Sequence, residues 1–245
     1  MIEKGKYGYK ILKGNNVFVH SDMTKLITKS TFYDRYHILK KTIKKIIDGV
    51  GRNKTIIMPT FTYSYCDNNV FDIKKSKSKV GALTEYYRNM KGIMRTDHPI
   101  FSVAHNSLSD IHVSTDSFGE GSIFDYIYKN DYKIAFVNTS FHYCTFIHYI
   151  EQAYGVPYRY IKKFSGNTIK NGISKETECY FFVRKDGNEV DLSSFQMHLF
   201  NKKILEKYFF DNITITIGSA KEIFSEGIKL LDSNVYAFCK NGRKI

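Results

Sequence analysis

The 245-residue sequence predicts an α/β fold: a three-layer α/β/α arrangement on a largely parallel central sheet, with long active-site loops, in a single domain over residues 1–245. Apolar runs of strand length recur along the chain, and segments with helical periodicity lie between several of them. A 42% hydrophobic and 16% aromatic content is ample for one core at this length.

The elements follow in order. Strands are read at residues 16–20 (NVFVH), 55–59 (TIIMP), 133–138 (KIAFVN), 179–184 (CYFFVR), 213–218 (ITITIG) and 235–239 (VYAFC). Over residues 33–48, Ile38, Leu39, Ile43, Ile46 and Ile47 form one apolar face opposite Lys40, Lys41, Lys44 and Lys45, and Gly49 and Gly51 stop that helix. Further helices start near Ser78 and Ser122. Another covers HYCTFIHYIEQAY before Gly155 and Pro157, and two more cover 195–209 and 219–231. The loop-rich middle, 60–132, reads as an insertion or as loops carrying function. The lysine-rich run at 74–79 reads as a solvated loop, with a phosphate clamp as its alternative.

No apolar run approaches the roughly 20 residues a membrane span needs, and the N-terminus lacks a signal-peptide core, so a cytoplasmic protein is expected. Cys66, Cys144, Cys179 and Cys239 form no CxxC pair, which argues against a disulfide framework and a zinc site. The formal charge of +13 favours anionic partners.

Several constellations carry chemistry. Thr145, His148 and Glu151 share one helix face, either as a satisfied buried network or as half of an active site. Cys144 beside His148 is a buried small hydrophobe or a thiol nucleophile. Thr60, Thr62, Tyr63 and Tyr65 follow a strand end closed by Pro59, a position and chemistry that suit a sugar; a turn held by local hydroxyl bonds is the level alternative. Arg95, Asp97, His98, Ser102 and His105 lie within a dozen residues without metal-ligand spacing, so no metal is expected.

Taken in order, VFVHSDMTKL, TIIMPTFTYSYC, FDIKKSKSKVGALTEYYR, GIMRTDHPIFSVAH, FGEGSIFDYI and CTFIHYIEQAYGVPYR resemble the aminoglycoside 3-N-acetyltransferase (antibiotic N-acetyltransferase) family over roughly residues 16–160. The resemblance implies an α/β/α enzyme that uses acetyl-CoA or another acyl-CoA, such as a 3-hydroxyacyl-CoA, as co-substrate without binding it permanently. It implies direct acyl transfer to a sugar amine, with His148 as general base, Glu151 as its companion, Asp191 as a further acidic residue and Thr145 near the oxyanion. His20, Ser21, Asp22 and Met23 would hold the cofactor pyrophosphate, and Arg95, His98, Ser102 and Val103 would line its path. The sequence departs from the family where a glycine usually follows the first loop and where Asp22 replaces a small hydroxylated residue. A +13 chain opposes a polycationic aminoglycoside and favours a nucleotide-linked (dTDP or UDP) amino-deoxy sugar, as used in polysaccharide biosynthesis. An aminoglycoside 3-N-acetyltransferase conferring antibiotic resistance is the alternative acceptor reading. A basic nucleic-acid-binding protein is the alternative of another class, without an RRM, KH or zinc-finger signature to support it.

Overall fold

The computed structural model describes residues 3–4, 8–28, 30–107, 109–210 and 213–240. Its strands are β1 (Glu3–Lys4), β2 (Val17–Ser21), β3 (Ile56–Pro59), β4 (Val70–Asp72), β5 (Met94–Arg95), β6 (Val103–His105), β7 (Lys133–Val137), β8 (Arg159–Lys170), β9 (Ile173–Arg184), β10 (Leu205–Phe210) and β11 (Ile213–Ser219). Its α-helices are α1 (Thr24–Ile27), α2 (Phe32–Val50), α3 (Ser64–Asn68), α4 (Ala82–Arg88), α5 (Ile123–Lys129), α6 (Ile147–Tyr154), α7 (Ser193–Asn201) and α8 (Ala220–Ser233).

Eight strands form one sheet in the order β1-β10-β11-β7-β2-β3-β6-β5, and β4, β8 and β9 form a second. The three expected layers are present. Because side chains alternate along β2, Val17 and Val19 face Ile43 and Ile46 of α2 and Leu83 and Tyr87 of α4. Phe18, with Ile134 and Phe136, faces Ile123 of α5, Ile147 and Ile150 of α6 and Ile223 of α8. Within the eight-stranded sheet parallel pairing is confined to β2–β3, β2–β7 and β1–β10, and the remaining neighbours run antiparallel; in the second sheet β4 pairs parallel to β8. Connection length explains the mixture. β5 reaches β6 through residues 96–102, and β10 reaches β11 through 211–212, both shorter than the roughly dozen residues a parallel crossover needs.

Four expected elements differ. The helix expected over HYCTFIHYIEQAY is split into a 3₁₀ turn, Phe141–Tyr143, and α6, with residues 144–146 between them. The helix expected over 195–209 ends at Asn201; Lys203 adopts φ 58°, and the aromatic-rich LEKYFF continues as β10 against β11. Residues 235–239 form turns, with Phe238 and Cys239 buried and Cys239 joined to Val190 by an isolated bridge. The strand expected at 179–184 is the end of β9, which pairs along its whole length with β8. Asn171 (φ 53°) and Gly172 (φ 82°) make the turn between them, the Asn-Gly pair that a two-residue hairpin favours.

Helix α2 starts with a reciprocal capping box between Thr31 and Asp34 and buries Ile43, Ile46 and Val50, leaving Lys40, Lys41 and Lys44 to solvent. It runs through Gly49 and stops at Gly51 (φ 90°). Gly49 is needed for close approach: a Cβ there would lie 2.4 Å from the Tyr9 carbonyl oxygen, in the 3₁₀ turn Gly8–Leu12 packed on this helix. Gly49→Ala therefore should lower the melting temperature. The overpacking cost of about 1–3 kcal/mol outweighs the gain of up to about 1 kcal/mol that alanine brings to an open helical site. A thermal melt of the variant at or above wild type would show that the turn yields freely.

Candidate functional site

The site is built where β7 hands over to α6. Asn138 (φ 55°) reverses the chain after β7, and its side-chain carbonyl accepts from Thr214 N at 2.8 Å. Ser140 then caps the 3₁₀ turn Phe141–Tyr143 by accepting from His142 N at 3.2 Å. Helix α6 follows, stopped by Gly155 in the left-handed conformation (φ 79°), and the chain turns back through Tyr158 and Arg159 into β8.

This corner concentrates charge around Glu151, whose side chain is fully buried. His148 Nδ1 lies 2.6 Å from Glu151 Oε2, and Tyr158 OH donates to Oε1 at 2.9 Å. Arg159 Nε stands 2.7 Å from Oε2, an ion pair by distance rather than a directed hydrogen bond, since that N–H finds no acceptor in line. Arg159 Nη2 also approaches His148 Nδ1 at 3.0 Å, while Nη1 donates to Phe182 O at 3.1 Å. One nitrogen cannot donate to the carboxylate and accept from the guanidinium together. The shorter, charge-assisted contact to Glu151 takes the Nδ1 proton. The lone pair is then left on Nε2, which no described protein group bonds.

Burial, and then the neighbouring Arg159, hold the His148 pKa below its usual 6.5 against the opposing pull of Glu151. Burial alone would raise the Glu151 carboxyl, but the attraction of His148 and Arg159 and the Tyr158 hydrogen bond carry it below the usual carboxylate range. The state near neutral pH is a neutral imidazole beside an ionised carboxylate. Phe118 closes one side of the ring edge-on, with centroids 5.2 Å apart. Its loop is tied to α6, because Gln152 donates to Asp116 Oδ2 at 2.8 Å while Asp116 Oδ1 accepts from Phe118 N and Gly119 N.

His148 opens onto a cavity of about 470 Å³ lined by the 142–145 segment, Arg159, Phe181, Val183, Arg184, Val190 and Leu192. Thr145 lines it, with a side-chain hydroxyl that no described protein group bonds. Cys144 also lines it, and burial pushes its thiol up to about 12, which removes it as a thiolate nucleophile. No carboxylate is among the lining residues.

A second cavity, of about 410 Å³, lies at the C-terminal ends of β2 and β7 and is lined by Asp22, Lys25, Asn138, Thr139, Ser140 and Lys207 among others. The chain leaves β2 toward α2 on one face and leaves β7 toward α6 on the other, so this is the crevice of an open α/β sheet where ligands bind. The 138–145 segment contributes to both cavities.

The other predicted residues are dispersed. His20 is buried and stacked on Phe136, its Nε2 lacks a partner, and burial pushes the ring down to about 3. The Ser21 hydroxyl is also buried without a partner, the Met23 side chain sits in the core, and Asp22 accepts from Thr24 N at 2.8 Å at the edge of the second cavity. Arg95 donates to Thr60 O (2.7 Å), Ile73 O (3.0 Å) and Ser76 O (2.6 Å) and to the hydroxyls of Thr60 and Ser102, pinning the 73–76 loop to the sheet.

Thr60, Thr62, Ser102 and Val103 are buried, Tyr65 donates to Thr177 O, and Tyr63 is exposed; none lines the His148 cavity. His98 Nδ1 accepts from Ile100 N and Phe101 N, and the ring borders a separate cavity at the β8–β9 tip. Asp191 accepts from Ser193 N at 2.8 Å and lies between two cavity-lining residues without a bond to His148. Sequence reading missed His142, Phe181, Val183 and Arg184. For the last three, all on β9, the Asn-Gly turn that sets the hairpin register was the available signal. Among the described residues no group of three or more His, Cys, Asp or Glu is placed to hold a metal, and no helix is long and apolar enough to cross a membrane.

The family model for aminoglycoside 3-N-acetyltransferases matches residues 18–232. Three solved structures share the fold. Aminoglycoside acetyltransferase AAC(3)-Xa is 15% identical with a TM-score of 0.75, covering 91% of this chain and 88% of its own. AAC-IIIb, solved as a binary complex with CoASH, is 16% identical with a TM-score of 0.73, covering 90% and 91%. The YokD protein from Bacillus subtilis is 18% identical with a TM-score of 0.69, covering 93% and 96%. A search of curated proteins gave no match.

The corner itself is testable by nitrogen NMR of the histidines. His148 should carry its lone pair on Nε2 and titrate below pH 6.5. Glu151→Gln removes the group that raises its pKa, so the midpoint should move further toward acid. A midpoint that rises in the variant would mean that Glu151 does not hold the ring.

Proposed function

The chain belongs to the aminoglycoside 3-N-acetyltransferase family, and from that premise we propose that it is an acyl-CoA-dependent N-acyltransferase whose acceptor is the primary amine of a nucleotide-linked amino-deoxy sugar. The observation that carries the acceptor choice is the lining of the His148 cavity, where Arg184 is exposed with no carboxylate in the wall, while Arg159 is already paired with the buried Glu151. A polycation entering there meets like charge; a diphosphate meets its complement.

Nε2 of His148 takes a proton from the acceptor amine as its nitrogen attacks the thioester carbonyl. Glu151 holds Nδ1–H and stabilises the imidazolium that forms. The tetrahedral oxyanion requires a preorganised donor, for which the unbonded Thr145 hydroxyl is suited. Collapse of that intermediate breaks the carbon–sulfur bond, the imidazolium returns its proton to the leaving sulfur, and the products are an amide and free CoA. The acyl-CoA phosphates suit the second cavity, where Lys25 and Lys207 stand among side-chain hydroxyls.

His148→Ala should lower the acyl-transfer rate by roughly 10²–10⁴-fold. In wild type, kcat/KM should fall as pH drops through a midpoint below 6.5, because a base with a lowered pKa stays neutral until then. A His148→Ala protein of full activity would remove the mechanism. The acceptor is decided by CoA release with a panel of dTDP- and UDP-linked amino sugars beside kanamycin: turnover of kanamycin alone reverses the choice toward the antibiotic-modifying reaction, which the names of the solved structures favour.

A further inference from the structure

We infer that the hairpin end of the His148 cavity is a phosphate-binding subsite in which Arg184, with His142 beside it, holds the diphosphate of the acceptor; this rests on the nucleotide-sugar reading above. The β8–β9 register sets Arg159 directly opposite Arg184. Like charges facing each other across a strand pair destabilise the sheet unless something answers them. Glu151 answers Arg159 at 2.7 Å.

Arg184 has no ion pair or hydrogen bond with a described residue; Glu189 attracts it only at longer range. Arg184 is exposed at the cavity, and the carboxylates that follow it are engaged elsewhere: Glu189 with Lys240 Nζ at 2.7 Å and Asp191 with Ser193 N at 2.8 Å. No direct contact within the fold therefore satisfies this guanidinium, whereas an anionic ligand would. A guanidinium is suited to phosphate because its planar fork meets two oxygens at once. His142, exposed on the 3₁₀ turn, lines the same cavity and adds a donor. A diphosphate held by Arg184 leaves the remainder of the cavity to the sugar, whose amine must reach Nε2 of His148.

The co-substrate carries a diphosphate as well, so the chemistry has two sources. The second cavity, with Lys25 and Lys207, is the better place for it, which leaves Arg184 to the acceptor. Calorimetric titration of the full chain with inorganic pyrophosphate, dTDP, UDP and CoA, on wild type, Arg184→Ala and Arg184→Lys, separates the sources, and melting curves confirm that the variants fold. Arg184→Ala should weaken pyrophosphate, dTDP and UDP at least tenfold, Arg184→Lys should weaken them less, and CoA should stay within twofold. Pyrophosphate binding that is absent in wild type or equal in wild type and Arg184→Ala overturns the subsite, and a loss confined to CoA overturns its assignment to the acceptor. If pyrophosphate depends on Arg184 while dTDP and UDP bind no better than pyrophosphate, the subsite stands and the nucleotide-sugar reading falls.

Discussion

A carboxylate with no exposed surface is the constraint on which this molecule turns. An ionised Glu151 inside the protein carries a desolvation penalty of several kcal/mol, and only well-placed partners offset it. Those partners come from both sides of one tight reversal: His148 from α6, and Tyr158 and Arg159 from the segment after Gly155. The contact that fixes the histidine tautomer therefore also fastens the start of β8. Fastening β8 brings the end of β9 alongside, and with it Phe181, Val183 and Arg184. The histidine tautomer and the wall of the cavity share a single electrostatic anchor.

The second consequence is a division of space. Neighbouring parallel strands whose following helices lie on opposite faces leave a crevice at their ends, and here it is polar, with two lysines. The His148 cavity is walled by aromatic and aliphatic side chains and by cations. The 3₁₀ turn after β7 lies in the segment that borders both. The co-substrate and acceptor proposed above would thus meet at His148 from different sides without having to pass each other.

The α/β layering was legible because its signals are local: apolar runs, the periodicity of α2 and α8, and the stops at Gly51 and Gly155. So was the pairing of His148 with Glu151, since helical spacing alone determines it, whereas Thr145 precedes α6 and shares only the cavity with His148. The structure adds Arg159 to that pair, joining all three. What spacing cannot reveal is depth. His20 and Arg95 lie in the last residues of their strands, near where ligand-binding residues sit, yet one is sunk against Phe136 and the other donates to backbone carbonyls. Arg184 was illegible for another reason: it reaches the cavity through a pairing with Arg159 that depends on the Asn171–Gly172 turn midway between them. The helix expected through residue 209 failed because β pairing with β11 overrode a mixed local pattern, as tertiary context does.

Cys144 adds a last implication. Under the proposed function, a thiol lining the chamber in which a thioester reacts invites trans-thioesterification, in which the protein would acylate itself and stall as a dead-end adduct. Deep burial keeps this sulfur protonated until about pH 12, far from the range in which a thiolate competes with an amine. Self-modification is thereby suppressed without removing the sulfur, and an incoming amine remains the better nucleophile.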